Sequence, residues 1–238
     1  MRNWFFIMMV LISQGLSAMK VNVYLKYDDG LLKEKIHHFN QFLASHGVFK
    51  KYDIKPFIDY FPLHTTLYLT DYEPSSTQQV IHAVKNVSSH WSKLSTKTKQ
   101  IYVAGTYVML DVGLVKQANG LNHVMQHYAD ELTMVLVPLR DTKSPIPDWA
   151  QSIPSKRAAF ERYGSPNVFF EFAPHFTLMA KRLDANTAKL FQQEINALIA
   201  QYDAANPMPD LTVEANQVGV GLVNDYGQVT EELASFDL

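Results

Sequence analysis

From Met19 onward the chain alternates between two hydrophobic periods. Val21, Val23 and Leu25 alternate with Asn22, Tyr24 and Lys26, a period of two that predicts a strand with one face buried. Leu31, Leu32, Ile36, Phe39, Phe42 and Leu43 then recur at helical spacing, and Gly47 follows as a stop signal. After a proline-containing connection, residues 64–70, rich in Thr, Leu and Tyr, predict a second strand. Pro74 opens a helical stretch that extends to Trp91. Residues 101–112 are β-branched and aromatic, with Gly105 predicting a bend or bulge between two strands.

The pattern then recurs. Residues 121–136 read as a helix, 175–181 as a strand, and 184–202 as a helix capped by Asp184. That helix carries Ala188, Phe191, Ile195, Leu198 and Tyr202 on one face. Residues 212–223 are strand-like, and Asp225-Tyr226-Gly227 predicts a turn into a short final strand. Two rounds of strand, helix, strand, helix, strand point to an internal duplication with pseudo-twofold symmetry. The second round carries extra sequence at 139–174, where Pro145, Pro147 and Pro154 predict a loop and 155–163 a short helix. An insertion of this length beside a cleft is expected to act as a lid or specificity loop.

The two rounds place the same local text on the same element: Leu63-His64-Thr65-Thr66-Leu67 in the first, Pro174-His175-Phe176-Thr177-Leu178 in the second. Residues two apart on a strand share a face, so His64 pairs with Thr66 and His175 with Thr177, their Cα atoms roughly 7 Å apart. Phe176 and Leu178 then face the core, as do Thr65 and Leu67, with Thr65 the poorer core residue. Tyr68 and Lys181 continue the His-bearing faces. Lys181 could offset phosphate charge and Tyr68 could stack on a base, or both could sit at solvated strand ends.

Phosphoryl transfer suits such a pair. In-line displacement at phosphorus puts the attacking and leaving oxygens on opposite sides, so one group must take a proton while another gives one. Histidine, with an ordinary pKa of about 6.5, does either at neutral pH. The paired Thr hydroxyls can donate to the non-bridging oxygens, where negative charge sits. The design requires no metal and no cofactor. His123 and His127 lie four apart on a predicted helix, but the Glu of a metalloprotease helix is missing between them. No Gly-x-Ser-x-Gly text, Gly-rich phosphate loop or dinucleotide fingerprint is present.

With its two His-x-Thr-Leu segments, the chain resembles the two-histidine (2H) phosphoesterase superfamily, which includes 2'-5' RNA ligase-like proteins and 2',3'-cyclic nucleotide phosphodiesterases. The resemblance covers the order of elements from Met19 onward; identity is confined to the two motifs and, more loosely, to 218–227. It implies an α+β fold of two pseudo-symmetric lobes, with antiparallel sheets lining a central cleft and helices outside. It also implies that His64, Thr66, His175 and Thr177 are the active-site residues. The expected activity is hydrolysis of a 2',3'-cyclic phosphate or related diester. The alternatives are 2'-5' RNA ligation on the same site and an exported binding module that turns nothing over.

Composition narrows the partners. The formal net charge is −2 and no basic stripe is present. A tight, sequence-independent grip on long nucleic acid is therefore disfavoured, and a small nucleotide or short RNA end is the expected substrate of a monomer. The absence of cysteine excludes disulfides and thiol nucleophiles. Arg2, an apolar run over 4–12, and Ser17-Ala18 form the layout of a secretory signal peptide over 1–18, with the run too short to span a bilayer. The expected location is thus periplasmic or extracellular, with 19–238 as the mature domain. If Met19 is the true start, the location is cytoplasmic.

Overall fold

A computed structural model describes residues 18–112, 123–206 and 211–238, with the backbone only at His123. The apolar run over 4–12 lies outside the described residues. Among those described, no helix is long and apolar enough to cross a membrane.

The first round comprises β1 (Met19–Tyr27), α1 (Gly30–Ser45), α2 (Val48–Tyr52), β2 (His64–Tyr72), α3 (Thr77–Ser88) and β3 (Leu94–Lys97). The second runs through β4 (Ile101–Ala104), β5 (Tyr107–Asp111), α4 (His123–Leu136), α5 (Asp148–Gln151), α6 (Pro154–Tyr163), β6 (His175–Ala180), α7 (Ala185–Ala205), β7 (Thr212–Val223) and β8 (Val229–Asp237). Both long helices start where side-chain caps dictate. Asp29 accepts from the Leu32 N–H, and Asp184 from those of Asn186 and Thr187. Each cap contributes about 1 kcal/mol. The bend expected at Gly105 is a two-residue hairpin turn, with Ala104 paired to Tyr107 and Gly105 at φ 60°. A positive φ at the first turn position favours glycine there.

All strands pair antiparallel, in two sheets. One runs β2-β1-β7-β3, with β8 also on β7. The long β7 meets β3 through 212–215 and β8 through 217–223, so both lie along one of its edges while β1 holds the other. The second sheet is β4-β5-β6. The last strands of the second round thus complete the first round's sheet rather than their own. The final strand, expected to be short, has nine residues because it pairs with β7 almost throughout.

Helices α1 and α7 pack together, with Phe39 edge-on to Tyr202 at 5.0 Å. On the other side α3 packs against α4, and Trp91 stacks on Tyr128 at 3.9 Å. One apolar cluster runs through both sheets, from Val23 and Leu25 to Phe176, Leu178 and Phe191. Burying side chains of this size favours folding by about 1.5–3 kcal/mol each. The one-sided burial expected of β1 is not what the structure shows. β1 is buried on both faces, since Asn22 and Tyr24 are as inaccessible as Val23 and Leu25. On the face that alternation assigned to solvent, Tyr24 lies across Gly219 of β7 to Glu232 of β8, and Asn22 lies against Thr66 of β2.

Candidate active site

The two His-bearing strands repeat each other in detail. On β2, Tyr24 of β1 pairs with Thr66 and Val23 with Tyr68, leaving Leu67 as the extra residue of a β-bulge. On β6, Met109 of β5 pairs with Thr177 and Val108 with Met179, leaving Leu178 extra. The Leu that closes each motif is therefore the bulged residue, and both leucines are buried. Bulges kink a strand and re-aim its side chains. Here each bulge anchors in the core immediately after the Thr.

Beneath the site the middle residues of the motifs meet. Thr65 and Phe176 are both fully buried. Tyr27 joins them: its hydroxyl lies 3.2 Å from that of Thr65, and its ring is edge-on to Phe176 at 4.9 Å. The hydrogen bond explains how Thr65, the poorer core residue, is tolerated. Through Tyr27 the two strands are held side by side with their His faces turned to one cleft.

The imidazoles are also set alike. His64 Nδ1 lies 2.9 Å from the Pro62 carbonyl, and His175 Nδ1 lies 2.8 Å from the Ala173 carbonyl. A carbonyl only accepts, so Nδ1 must carry hydrogen in either charge state. The proton that comes and goes is then on Nε2 of both rings. His64 and His175 are close enough that a charge on His175 disfavours one on His64. His64 is buried and shares a small cavity with Thr177, Phe61, Pro62 and Gln228, while His175 is half-buried.

Burial is the main influence on both rings and lowers both pKa values from 6.5. At His64, main-chain hydrogen bonding with Pro62 and Gly227 opposes it. At His175 the Ala173 carbonyl and the Asp111 carboxylate oppose it, and Lys156 reinforces it. Asp111 is the direct cross-strand partner of His175 on β5. Lys156 comes from α6, inside the insertion, and is held by Asn167 Oδ1 at 2.8 Å and Glu171 Oε2 at 3.0 Å. Neither residue stands out in the sequence, because each acts through register or tertiary docking.

The structure puts His64 and Thr177 on one small cavity, His175 close enough to His64 to act on its charge, and Thr66 on the strand face of His64; it places Tyr68 and Lys181 elsewhere. Tyr68 is buried, its hydroxyl donating to the Tyr163 carbonyl, and Thr70 donates to the Gly164 carbonyl at 2.7 Å. The end of α6 thus covers this stretch of β2, and Tyr68 has no free face on which to stack a base. Lys181 donates to the Asp53 carbonyl at 2.7 Å and to its carboxylate at 2.8 Å, which occupies the charge that phosphate would need. Of the helical pair His123 and His127, the His123 side chain lies outside the described residues. Among described residues, no group of three or more His, Asp or Glu is placed to hold a metal.

Tyr24 supports His64 from behind. Its ring is edge-on to His64 at 5.3 Å, and its hydroxyl donates to Glu232 Oε2 on β8 at 3.0 Å. To reach β8 the ring must cross β7 at Gly219, where a Cβ would lie 2.4 Å from the ring. Gly219→Ala is therefore expected to displace Tyr24 and destabilise the protein by about 1–3 kcal/mol, as overpacking does. Chemical denaturation checks this; an unchanged midpoint would show that the ring can move at no cost.

No family model and no curated protein matches the chain. Similar solved structures do exist. Kluyveromyces marxianus Usb1 superposes with a TM-score of 0.52 at 10% identity, covering 93% of this chain and 99% of that one. A phosphoesterase gives 0.51 at 11% identity, with the same 93% and 99% coverage. E. coli LigT complexed with 3'-AMP gives 0.50 at 12% identity, again with 93% and 99% coverage. Likeness at such low identity, over nearly the whole of each chain, is a likeness of fold. The chain has the α+β fold shared by Usb1, a phosphoesterase and LigT, the fold that its resemblance to the two-histidine phosphoesterases implies.

Proposed function

We propose that this protein is a phosphodiesterase that opens a 2',3'-cyclic phosphate, or cleaves a related nucleotide or RNA diester, with His64 and His175 as acid and base. The observation that carries the reading is the matched tethering of both Nδ1 atoms to carbonyls. Two rings with matching tautomers each leave Nε2 as the atom that titrates, which is what proton transfer at both ends of an in-line displacement requires.

In the reaction, the neutral histidine takes a proton from water on Nε2 as the water oxygen attacks phosphorus. The P–O bond on the opposite side breaks, and the protonated histidine gives its Nε2 proton to the departing ribose oxygen. Thr66 and Thr177 donate to the non-bridging oxygens, whose charge they stabilise as the displacement proceeds. The product is a nucleoside monophosphate, and each histidine ends in the other's starting state until solvent resets the pair. LigT has been crystallised with 3'-AMP, a nucleoside monophosphate of the kind such ring opening yields.

Ligation is the same displacement with a 5'-hydroxyl in place of water, and holding a second RNA end favours a basic cleft. Lys26, Lys156 and Lys181 are each paired with a carboxylate, those of Glu232, Glu171 and Asp53. That balance favours water and a small substrate. Phosphorus NMR on a panel of 2',3'-cyclic nucleotides tests the proposal, using protein begun at Met19. Ring opening to one monophosphate isomer is expected. Saturable nucleotide binding with no product would instead support the non-catalytic module, and joining of RNA ends without hydrolysis the ligase.

A further inference from the structure

Thr66 and Thr177 occupy equivalent places in the two motifs, yet the surroundings of Thr66 include a group that the sequence read as solvent-facing. Asn22, on β1, is fully buried and donates from Nδ2 to Thr66 Oγ1 at 2.9 Å. Its Oδ1 is buried as well and has no hydrogen-bond partner among the described residues. Leaving a buried carbonyl oxygen unpaired is unfavourable, so the arrangement calls for an explanation.

The chemistry of a hydroxyl supplies one. A threonine hydroxyl has one proton to give and two lone pairs to accept with. With the amide nitrogen toward it, Thr66 accepts from Asn22 and its own proton must go to another acceptor. With the amide turned over, Oδ1 would take that proton and Thr66 would present only lone pairs to the cleft. Lone pairs repel a phosphate oxygen; a proton binds it. Each amide orientation leaves one buried amide atom without a partner, and only the observed one keeps the hydroxyl proton available.

We propose that Asn22 is a positioning residue that holds Thr66 as a hydrogen-bond donor toward a non-bridging phosphate oxygen. This inference rests on the reading of the site as a phosphodiesterase. It is specific to the first motif: Asn22 stands two residues before Tyr24, the cross-strand partner of Thr66, and the matching position before Met109, the partner of Thr177, is Tyr107, whose ring lies edge-on to Tyr226 at 6.4 Å. Because Asn22 stays out of the cleft, it acts on the substrate only through Thr66.

A double-mutant cycle decides the matter. Asn22→Asp replaces the donor with an acceptor that captures the Thr66 proton, and Asn22→Leu removes the donor at similar volume. Both are compared in the wild-type and Thr66→Val backgrounds, by kcat and KM on a 2',3'-cyclic nucleotide and by affinity for the nucleoside monophosphate. Circular dichroism and thermal melting establish that each variant is folded. Asn22→Asp is expected to lower kcat by about 10²-fold, as loss of one charge-stabilising donor does, with a smaller change in KM. Asn22→Leu, which frees the proton without aiming it, should lose less. Both losses should vanish in the Thr66→Val background, where the hydroxyl is already gone.

Equal losses in the two backgrounds would overturn the inference, since a purely structural role for Asn22 does not depend on the Thr66 hydroxyl. No turnover by the wild type would overturn the hydrolase reading, and the monophosphate-affinity cycle would still decide the role of Asn22. Neither turnover nor binding by the wild type would overturn both.

Discussion

Replacing His64 or His175 with alanine is expected to slow opening of a 2',3'-cyclic phosphate by about 10²–10⁴-fold, the usual contribution of a positioned acid or base. The effect should fall on kcat rather than KM, because proton transfer belongs to the transition state. The two positions differ in what else is lost. His64 is buried and its ring packs against the edge of Tyr24, so His64→Ala leaves a cavity and lowers stability. His175 is half-buried, and removing its ring should leave stability nearer the wild type. Steady-state kinetics beside thermal melting separates the catalytic loss from the structural one. A variant that melts early but keeps its kcat would remove that histidine from the chemistry.

The second large effect is in pH. In the reactive form one histidine is neutral and the other protonated, so activity falls below the pKa of the base and above that of the acid. Burial lowers both from 6.5, which places the maximum of kcat/KM on the acid side of that value. Above it the rate should fall about tenfold per pH unit. Asp111 and Lys156 act on His175 in opposite senses. Asp111→Asn removes a charge that favours the imidazolium and should move the His175 limb to lower pH. Lys156→Met removes a charge that disfavours it and should move the same limb to higher pH. If the limb that moves is the alkaline one, His175 is the acid; if it is the acid one, His175 is the base. A profile that is flat through neutrality would count against the pair.

How far the sequence could be read follows from how local each signal is. The two His-x-Thr-Leu segments were legible because the strand, its alternation and its chemistry lie within five residues. The Asp184 cap and the Gly105 hairpin were legible for the same reason. β3 is not, since Leu-Ser-Thr-Lys is four residues long and lies in a polar stretch; it is a strand because β7 extends past β8 to pair with it. Asn22 and Tyr24 alternate as a solvent face should, yet distant residues bury them: Tyr24 lies across Gly219, and Asn22 against Thr66. Strict alternation keeps Tyr68 on the face of His64, but the bulge at Leu67 pairs it with Val23 and turns it to the opposite face, where its hydroxyl meets Tyr163; Lys181 is held by Asp53. The bulges could not be counted from alternation, although the Leu repeated after each Thr was their trace.

In the proposed mechanism His64 and His175 serve one phosphate as a unit. The deciding experiment is single-turnover opening of a 2',3'-cyclic nucleotide, followed by phosphorus NMR, in the wild type, the two alanine variants and the double variant. Groups that act together lose their contribution together, so the double variant should be little slower than either single one. Near-wild-type turnover in either single variant, with the protein folded, would contradict the pair.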